Sequence, residues 1–218
     1  MKQGIFHKGA AKIVADNGLT ENRCSQSYGS TGYKALEALQ RYWNELLWRR
    51  REESQPSQAP WLVPLRSAFN PMKIHRHLPD IFIAERKSAG NLWLRISGTA
   101  IDEAAGFCLQ GKNFFDICLS SERDFFKTTT GAMLKQPCGM KLTRRIMLPD
   151  GRAYKYNALC FPLADSEAVP RYIVGMVKVA ADNKRAYFRR TSKIRSEMSG
   201  FSYIDIGAGM PAAPTAIR

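Results

Sequence analysis

Between Gly32 and Glu53 apolar residues recur at steps of three and four, so that Leu36, Leu39, Trp43, Leu46 and Leu47 share one stripe of a helix with Trp48 at its margin. Such a stripe needs a partner surface. The next stretch, 54–79, opens with Pro56, Pro60 and Pro64. Each proline removes an amide donor and disfavours helix in the residue before it, so the helix must end and an extended connector begin. From residue 80 the period shortens to two. Asp80–Glu85 and Asn91–Ser97 have strand length, and Lys87-Ser88-Ala89-Gly90 supplies the turn of a hairpin. Thr99 through Gly106 reads as a short helix with a threonine cap, acids in its first turn and a terminating glycine. Ser120-Ser121-Glu122 opens a longer helix that runs to Gln136 and stops at Pro137. Three more strands follow over 139–148, 153–164 and 170–179, the first two joined by a tight Asp150-Gly151 turn.

The last strands are apolar on both sides. Ile173, Gly175, Val177 and Val179 share one parity, and Tyr172, Val174 and Met176 the other. Residues 157–163 show the same two-sidedness, which a sheet with one wet face does not. The stripe on the N-terminal helix is the natural cover for one face. At ~25 cal/mol per Å², covering a few hundred Å² contributes several kcal/mol. The candidate interface is therefore Leu36, Leu39, Trp43, Leu46 and Leu47 against Tyr172, Val174 and Met176. A homodimer through this helix and packing of the helix within its own chain both satisfy the pattern.

A chain of 218 residues with 44% hydrophobic content supports one core with extensions. Residues 1–31, rich in Gly, Ser and Asn, read as a flexible leader; 32–53 form the amphipathic helix, 54–79 the connector, 80–180 the core, and 181–218 a basic, disordered tail. The net charge of +14 favours anionic partners. The densest basic run, Lys184 to Arg195, interleaves Tyr187 and Phe188 with its cations. A solvated tail is the preferred reading and argues against nucleic acid as a partner; a nucleic-acid-associated regulator using this arm is the alternative. Five scattered cysteines without CxxC spacing point away from a disulfide framework or zinc site and towards a reducing, cytoplasmic setting. No apolar run reaches the ~20 residues that span a bilayer.

The ordered set Tyr42-Trp43, Pro64-Leu65-Arg66, Asn70-Pro71, His77-Leu78-Pro79, Leu94-Arg95-Ile96-Ser97-Gly98-Thr99, Gly106 and Leu109-Gln110-Gly111 resembles the PAS superfamily. It is most similar to a bacterial subgroup with an N-terminal Tyr-Trp helix and a Pro-x-Arg connector. The resemblance covers roughly residues 40–180. It implies an α+β fold: a five-stranded antiparallel sheet whose inner face cups short helices around a small pocket, with the amphipathic helix outside. It also implies a stand-alone sensory or regulatory adaptor in signal transduction, acting through a small ligand, a signalling protein or a second copy.

Candidate chemistry is sparse. Cys108 precedes Leu109-Gln110 but lacks the Asn and Arg that surround the thiol in flavin photosensors, so packing is its expected role. His75 and His77 lack further metal ligands at matching spacing. The long helix carries no His for haem ligation, and no cofactor is expected. Asp102 and Glu103 are adjacent on a helix and diverge by ~100°. With His only at positions 7, 75 and 77, and no GxSxG, Walker or HExxH motif, the chain reads as a binding protein and not an enzyme. Trp93, Arg95, Phe107, Phe114, Phe115, Met133 and Arg144 are the candidate pocket residues. A buried arginine needs a partner, so Arg95 and Arg144 each either anchor an anionic ligand or form a salt bridge, for instance to Asp102 or Glu103.

Overall fold

The structure, a computed structural model, describes residues 30–54, 63–182, 194–212 and 214; the expected leader lies outside the described residues except for its last two. Helix α1 spans Ser30–Glu52. A 3-10 stretch, Pro71–Asp80, leads into the hairpin β1 (Ile81–Ser88) and β2 (Asn91–Ser97). Three helices follow, α2 (Thr99–Ala105), α3 (Phe114–Ile117) and α4 (Arg123–Lys135). The chain then returns as β3 (Gly139–Met147), β4 (Ala153–Ala164), β5 (Pro170–Ala181) and β6 (Arg195–Ile204). All strands join one antiparallel sheet in the order β2-β1-β5-β4-β3-β6.

The sheet is six-stranded, not five-stranded, and the sixth strand comes from the segment expected to be a disordered tail. β6 pairs with β3 from Met147 opposite Arg195 to Gly139 opposite Ile204, with a register shift between Thr143 and Arg144. The bulge explains why the strand was hidden in the sequence. Ser196 and Met198 reach the helix-bearing side before it, Phe201 and Tyr203 after it, so the period-two alternation breaks in the middle. Most of the basic run falls in 183–193, outside the described residues. Its flanks are fixed: the Asp182 amide donates to the Ala153 carbonyl at 2.8 Å, and Arg195 is already in the ladder.

The sheet is buried on both sides. On the outer side α1 lays Leu36, Leu39, Trp43, Leu46 and Leu47 on Ile81, Ile83, Leu159, Phe161, Leu163, Val174 and Met176, with Tyr172 half-buried at the margin. The stripe considered as a dimer interface is thus buried within its own chain, the intramolecular alternative of the two. Trp48, on the opposite side of the helix, is 68% exposed. Trp43 is fully buried, stacks on Phe161 at 4.7 Å and donates its indole N–H to the Pro162 carbonyl at 2.9 Å. Pro162 sits in β4 without harm because β3 pairs with β4 only as far as Cys160. Beyond that point the connector takes over the edge, with the Ala164 amide donating to the Pro64 carbonyl at 2.9 Å.

On the inner side α2, α3 and α4 cover the other parity. Asn113 caps α3, accepting from the Phe115 amide and also from the Leu92 amide of β2, which ties the helix to the strand. The start of α2 differs from expectation. Its N-cap is Gly98, which makes no side-chain cap bond, and the organising group is Asp102, which accepts from Ser97 Oγ at 2.6 Å and the Leu109 amide at 3.1 Å. Glycine is required at 98 by close approach: a Cβ there would lie 2.3 Å from the Pro79 carbonyl oxygen.

Two outcomes test this packing. Trp43→Ala removes a fully buried indole and should cost ~3–5 kcal/mol in a denaturant titration, whereas Trp43→Phe keeps a ring against Phe161 and should cost less. Burial pushes the Cys138 and Cys160 thiols up to about 12 and raises that of Cys118 as well. At mildly alkaline pH these three thiols stay protonated, so alkylation of the native protein followed by peptide mapping should label exposed Cys108 and spare them until the chain is unfolded.

Candidate functional site

A cavity of about 140 Å³ lies between the inner face of the sheet and the helices. Strand parity supplies its floor: Ala84 from β1, Leu92 and Leu94 from β2, Leu142 from β3, Ala158 from β4, Val177 from β5. The roof comes from Ile101 and Ala105 of α2, Ile117 of α3, and Phe126 with Thr130 of α4. Room exists because many walls are small. Gly175 is part of this economy: a Cβ on it would sit 2.3 Å from the Phe82 ring and 2.9 Å from Cys160 Sγ. The Phe82 ring can therefore lie flat across β5 and still line the cavity.

Arg144 brings the main charge to this apolar wall. Its guanidinium is only 14% exposed and meets the Glu122 carboxylate, 3% exposed, at 2.6 Å. Ser196 Oγ of β6 donates to the second Glu122 oxygen at 2.5 Å. The Arg144 guanidinium also stands over the Phe126 ring at 5.8 Å and the Tyr156 ring at 5.1 Å. The buried charge is thus paired by Glu122, not by Asp102 or Glu103, and the pair is held by side chains from α4, β3, β4, β6 and the turn before α4. Removing one member would leave its partner as an uncompensated buried charge.

Of the seven candidate pocket residues, the structure brings two, Phe114 and Arg144, into the cavity wall. The other five are elsewhere. Trp93 and Arg95 share a parity, as expected, but it is the outer one: Trp93 lies opposite Glu85 in the ladder, and the exposed Arg95 pairs with the Glu85 carboxylate. Phe115 and Met133 are buried in the inner core behind the wall, and Phe107 is half-buried after α2. Cys108 is exposed in the turn after α2 and lines no part of the cavity, which corrects its expected packing role. The neighbouring Leu109 takes that place. Missing from the sequence reading were Glu122, Ser196 and Tyr156. Glu122 was visible only as a helix-start acid, and Ser196 only as part of a tail.

Among the described residues the histidines lie on the 3-10 stretch, His75 exposed and His77 half-buried. Burial, then the charge of Lys178, lowers the His77 pKa below its ordinary value. Among the described residues no group of three His, Cys, Asp or Glu gathers as a metal site would, and no helix is long and apolar enough to cross a membrane.

A family model described as PAS domain matches residues 32–178. No curated protein matches the sequence. Among solved structures, Vibrio cholera VqmA in complex with a ligand and DNA is similar at a TM-score of 0.39 and 13% identity, over 52% of this chain and 52% of that one. A variant of RsLOV gives 0.39 and 11% over 51% of this chain and 65% of its own. An RNA-binding Light-Oxygen-Voltage receptor gives 0.37 and 14% over 54% and 35%. Each match spans less than two thirds of the solved chain. The family match takes in most of α1, the connector, the inner helices, strands β1 to β4 and most of β5, with β6 beyond its end, and on that extent the chain belongs to the PAS domain family.

Proposed function

We propose that this chain is a non-catalytic regulatory module that senses a compact apolar ligand in its inner cavity and passes the occupancy to helix α1. A PAS domain carries a sensory or regulatory role in signalling; the ligand class and the route are our reading. The observation behind it is the two-sided strand β4. Ala158 and Cys160 line the cavity, while the alternating Leu159 and Phe161 seat α1 on the other side. A ligand that spreads the inner wall must displace the same backbone that carries Phe161, on whose ring Trp43 stacks.

The cavity's size and lining narrow the ligand. An apolar cavity of ~150 Å³ is large enough for benzene, so a volume of this order suits about six to ten heavy atoms. The Arg144–Glu122 pair is already neutral as a unit, which favours an uncharged ligand over a carboxylate. Arg144 and Tyr156 can still orient one polar substituent. A ligand switches the module only to the extent that it binds one arrangement of sheet and helix more tightly than the other. A signalling protein that reads α1 through its exposed side, where Trp48 projects, completes the proposal.

Toluene and indole are suitable probes. Both should raise the melting temperature of the full chain, and Ala158→Phe, which fills the cavity from β4, should abolish the rise while keeping the native circular dichroism. Hydrogen exchange of α1 should slow when the cavity is saturated. Failure of every compact aromatic to bind would overturn the ligand reading, and binding with unchanged exchange in α1 would overturn the route.

A further inference from the structure

A second cleft, of about 520 Å³, opens between α1 and the 3-10 stretch Pro71–Asp80 and shares no wall with the inner cavity. Arg41 and Arg49 stand on its helical side, eight residues and therefore just over two turns apart. Lys73 and Arg76 face it from the 3-10 stretch. Its apolar floor is Tyr42, Leu46 and Ile74, all buried. The Tyr42 hydroxyl accepts from the Asn70 amide at 2.9 Å and fixes the two walls to each other.

Six cations outside this cleft are held in ion pairs: Arg95 with Glu85, Arg144 with Glu122, Arg145 with Asp182, Arg152 with Asp150, Arg171 with Asp165, Lys178 with Asp80. Among the described residues Arg41, Arg49, Lys73 and Arg76 form no ion pair and no side-chain hydrogen bond. Glu45 is the one carboxylate in the lining, and His75 and His77 add no negative charge. Four cations therefore border one concave volume with a single acid between them. Their mutual repulsion is unfavourable and is relieved by an anion carrying several charges.

We propose that this cleft binds a compact polyphosphate bearing a planar or apolar group, a nucleoside di- or triphosphate in chemical class. The guanidinium fork matches phosphate oxygens in pairs, and three of the four cations are arginines. The volume falls within the ~300–1,000 Å³ of small-molecule sites, and the Tyr42–Leu46–Ile74 floor suits the non-phosphate part. A nucleic-acid backbone calls instead for cations strung along an extended track, whereas these converge from two walls on one concavity. The anion would clamp α1 to the stretch that leads directly into β1. This site does not depend on the apolar-ligand reading of the inner cavity.

Isothermal titration of the full chain at low salt, with ATP and inorganic pyrophosphate as probes, tests the proposal. Saturable binding at one site per chain is expected, tighter for ATP than for pyrophosphate because only ATP reaches the apolar floor. The double variant Arg41→Gln, Arg76→Gln should weaken ATP by at least about tenfold, while Lys112→Gln, Lys135→Gln, which removes the same charge from exposed positions outside the cleft, should change it little. All four positions are exposed, and matching melting temperatures verify that both variants fold. Absence of saturable binding, or equal loss in the two double variants, overturns the site. So does a mixed-sequence single-stranded oligonucleotide that displaces ATP and loses its own affinity with Arg41 and Arg76, because the cleft would then be a nucleic-acid surface.

Discussion

The central strands of this sheet bury side chains on both faces, and the rest of the architecture answers that demand. Leu159, Phe161, Val174 and Met176 need a cover on one side, Ala158, Cys160 and Ile173 on the other. Removing apolar surface from water is the dominant favourable term in folding, so neither face can be left open without a large loss. Helix α1 covers the outside and the short helices the inside. The two covers are unequal: α1 interdigitates with its face around Trp43, while the inner helices arch over small residues and leave a void. One sheet thus has a packed side that sets stability and a loosely filled side with room for a guest.

Polar constraints keep that void from collapsing into the simplest hydrophobic packing. The Glu122–Arg144 pair, braced by Ser196 and flanked by Phe126 and Tyr156, holds the start of α4 at a fixed offset from β3. Arg86 does similar work further along α4, donating to Thr130 Oγ1 at 2.9 Å and to the Lys127 carbonyl at 3.4 Å. Buried or half-buried charges of this kind add little net stability, but they penalise alternative placements of the helix strongly. The inner helices are consequently positioned as much by the cost of leaving these charges unpaired as by apolar contact.

Much of the frame was legible because period-two and helical patterns are local. The strand spans after residue 139, the Asp150-Gly151 turn, Gly106 at the end of α2 and the α1 stripe all follow from their own neighbourhoods. The parity split of β5 was readable too, with Ile173, Gly175 and Val177 inward and Val174 and Met176 outward. Face assignment on β2 was not. Leu92 and Leu94 alternate with Trp93 and Arg95, both sets contain apolar bulk, and only the pairing of Trp93 with Glu85 decides which set looks inward. The cavity wall was obscured for a different reason. A cavity is made by what is missing, so its lining includes the small residues Ala84, Ala105 and Ala158, whereas large side chains such as Phe115 and Met133 fill the core behind it. The last strand escaped because its bulge swaps parity, and its pairing partner β3 is distant in sequence.

That last strand changes what the 183–193 connection is. Both of its ends are held in the sheet, by Asp182 on Ala153 and by Arg195 on Met147, so the basic run is a crossing between strands and not a free end. β6 keeps a full ladder to β3, and Phe201 and Tyr203 rest edge-on in an aromatic row with Phe125. A protease nick in the crossing would leave the two pieces associated without a covalent link. The final segment could then be exchanged for a synthetic peptide, making this domain a natural subject for fragment complementation.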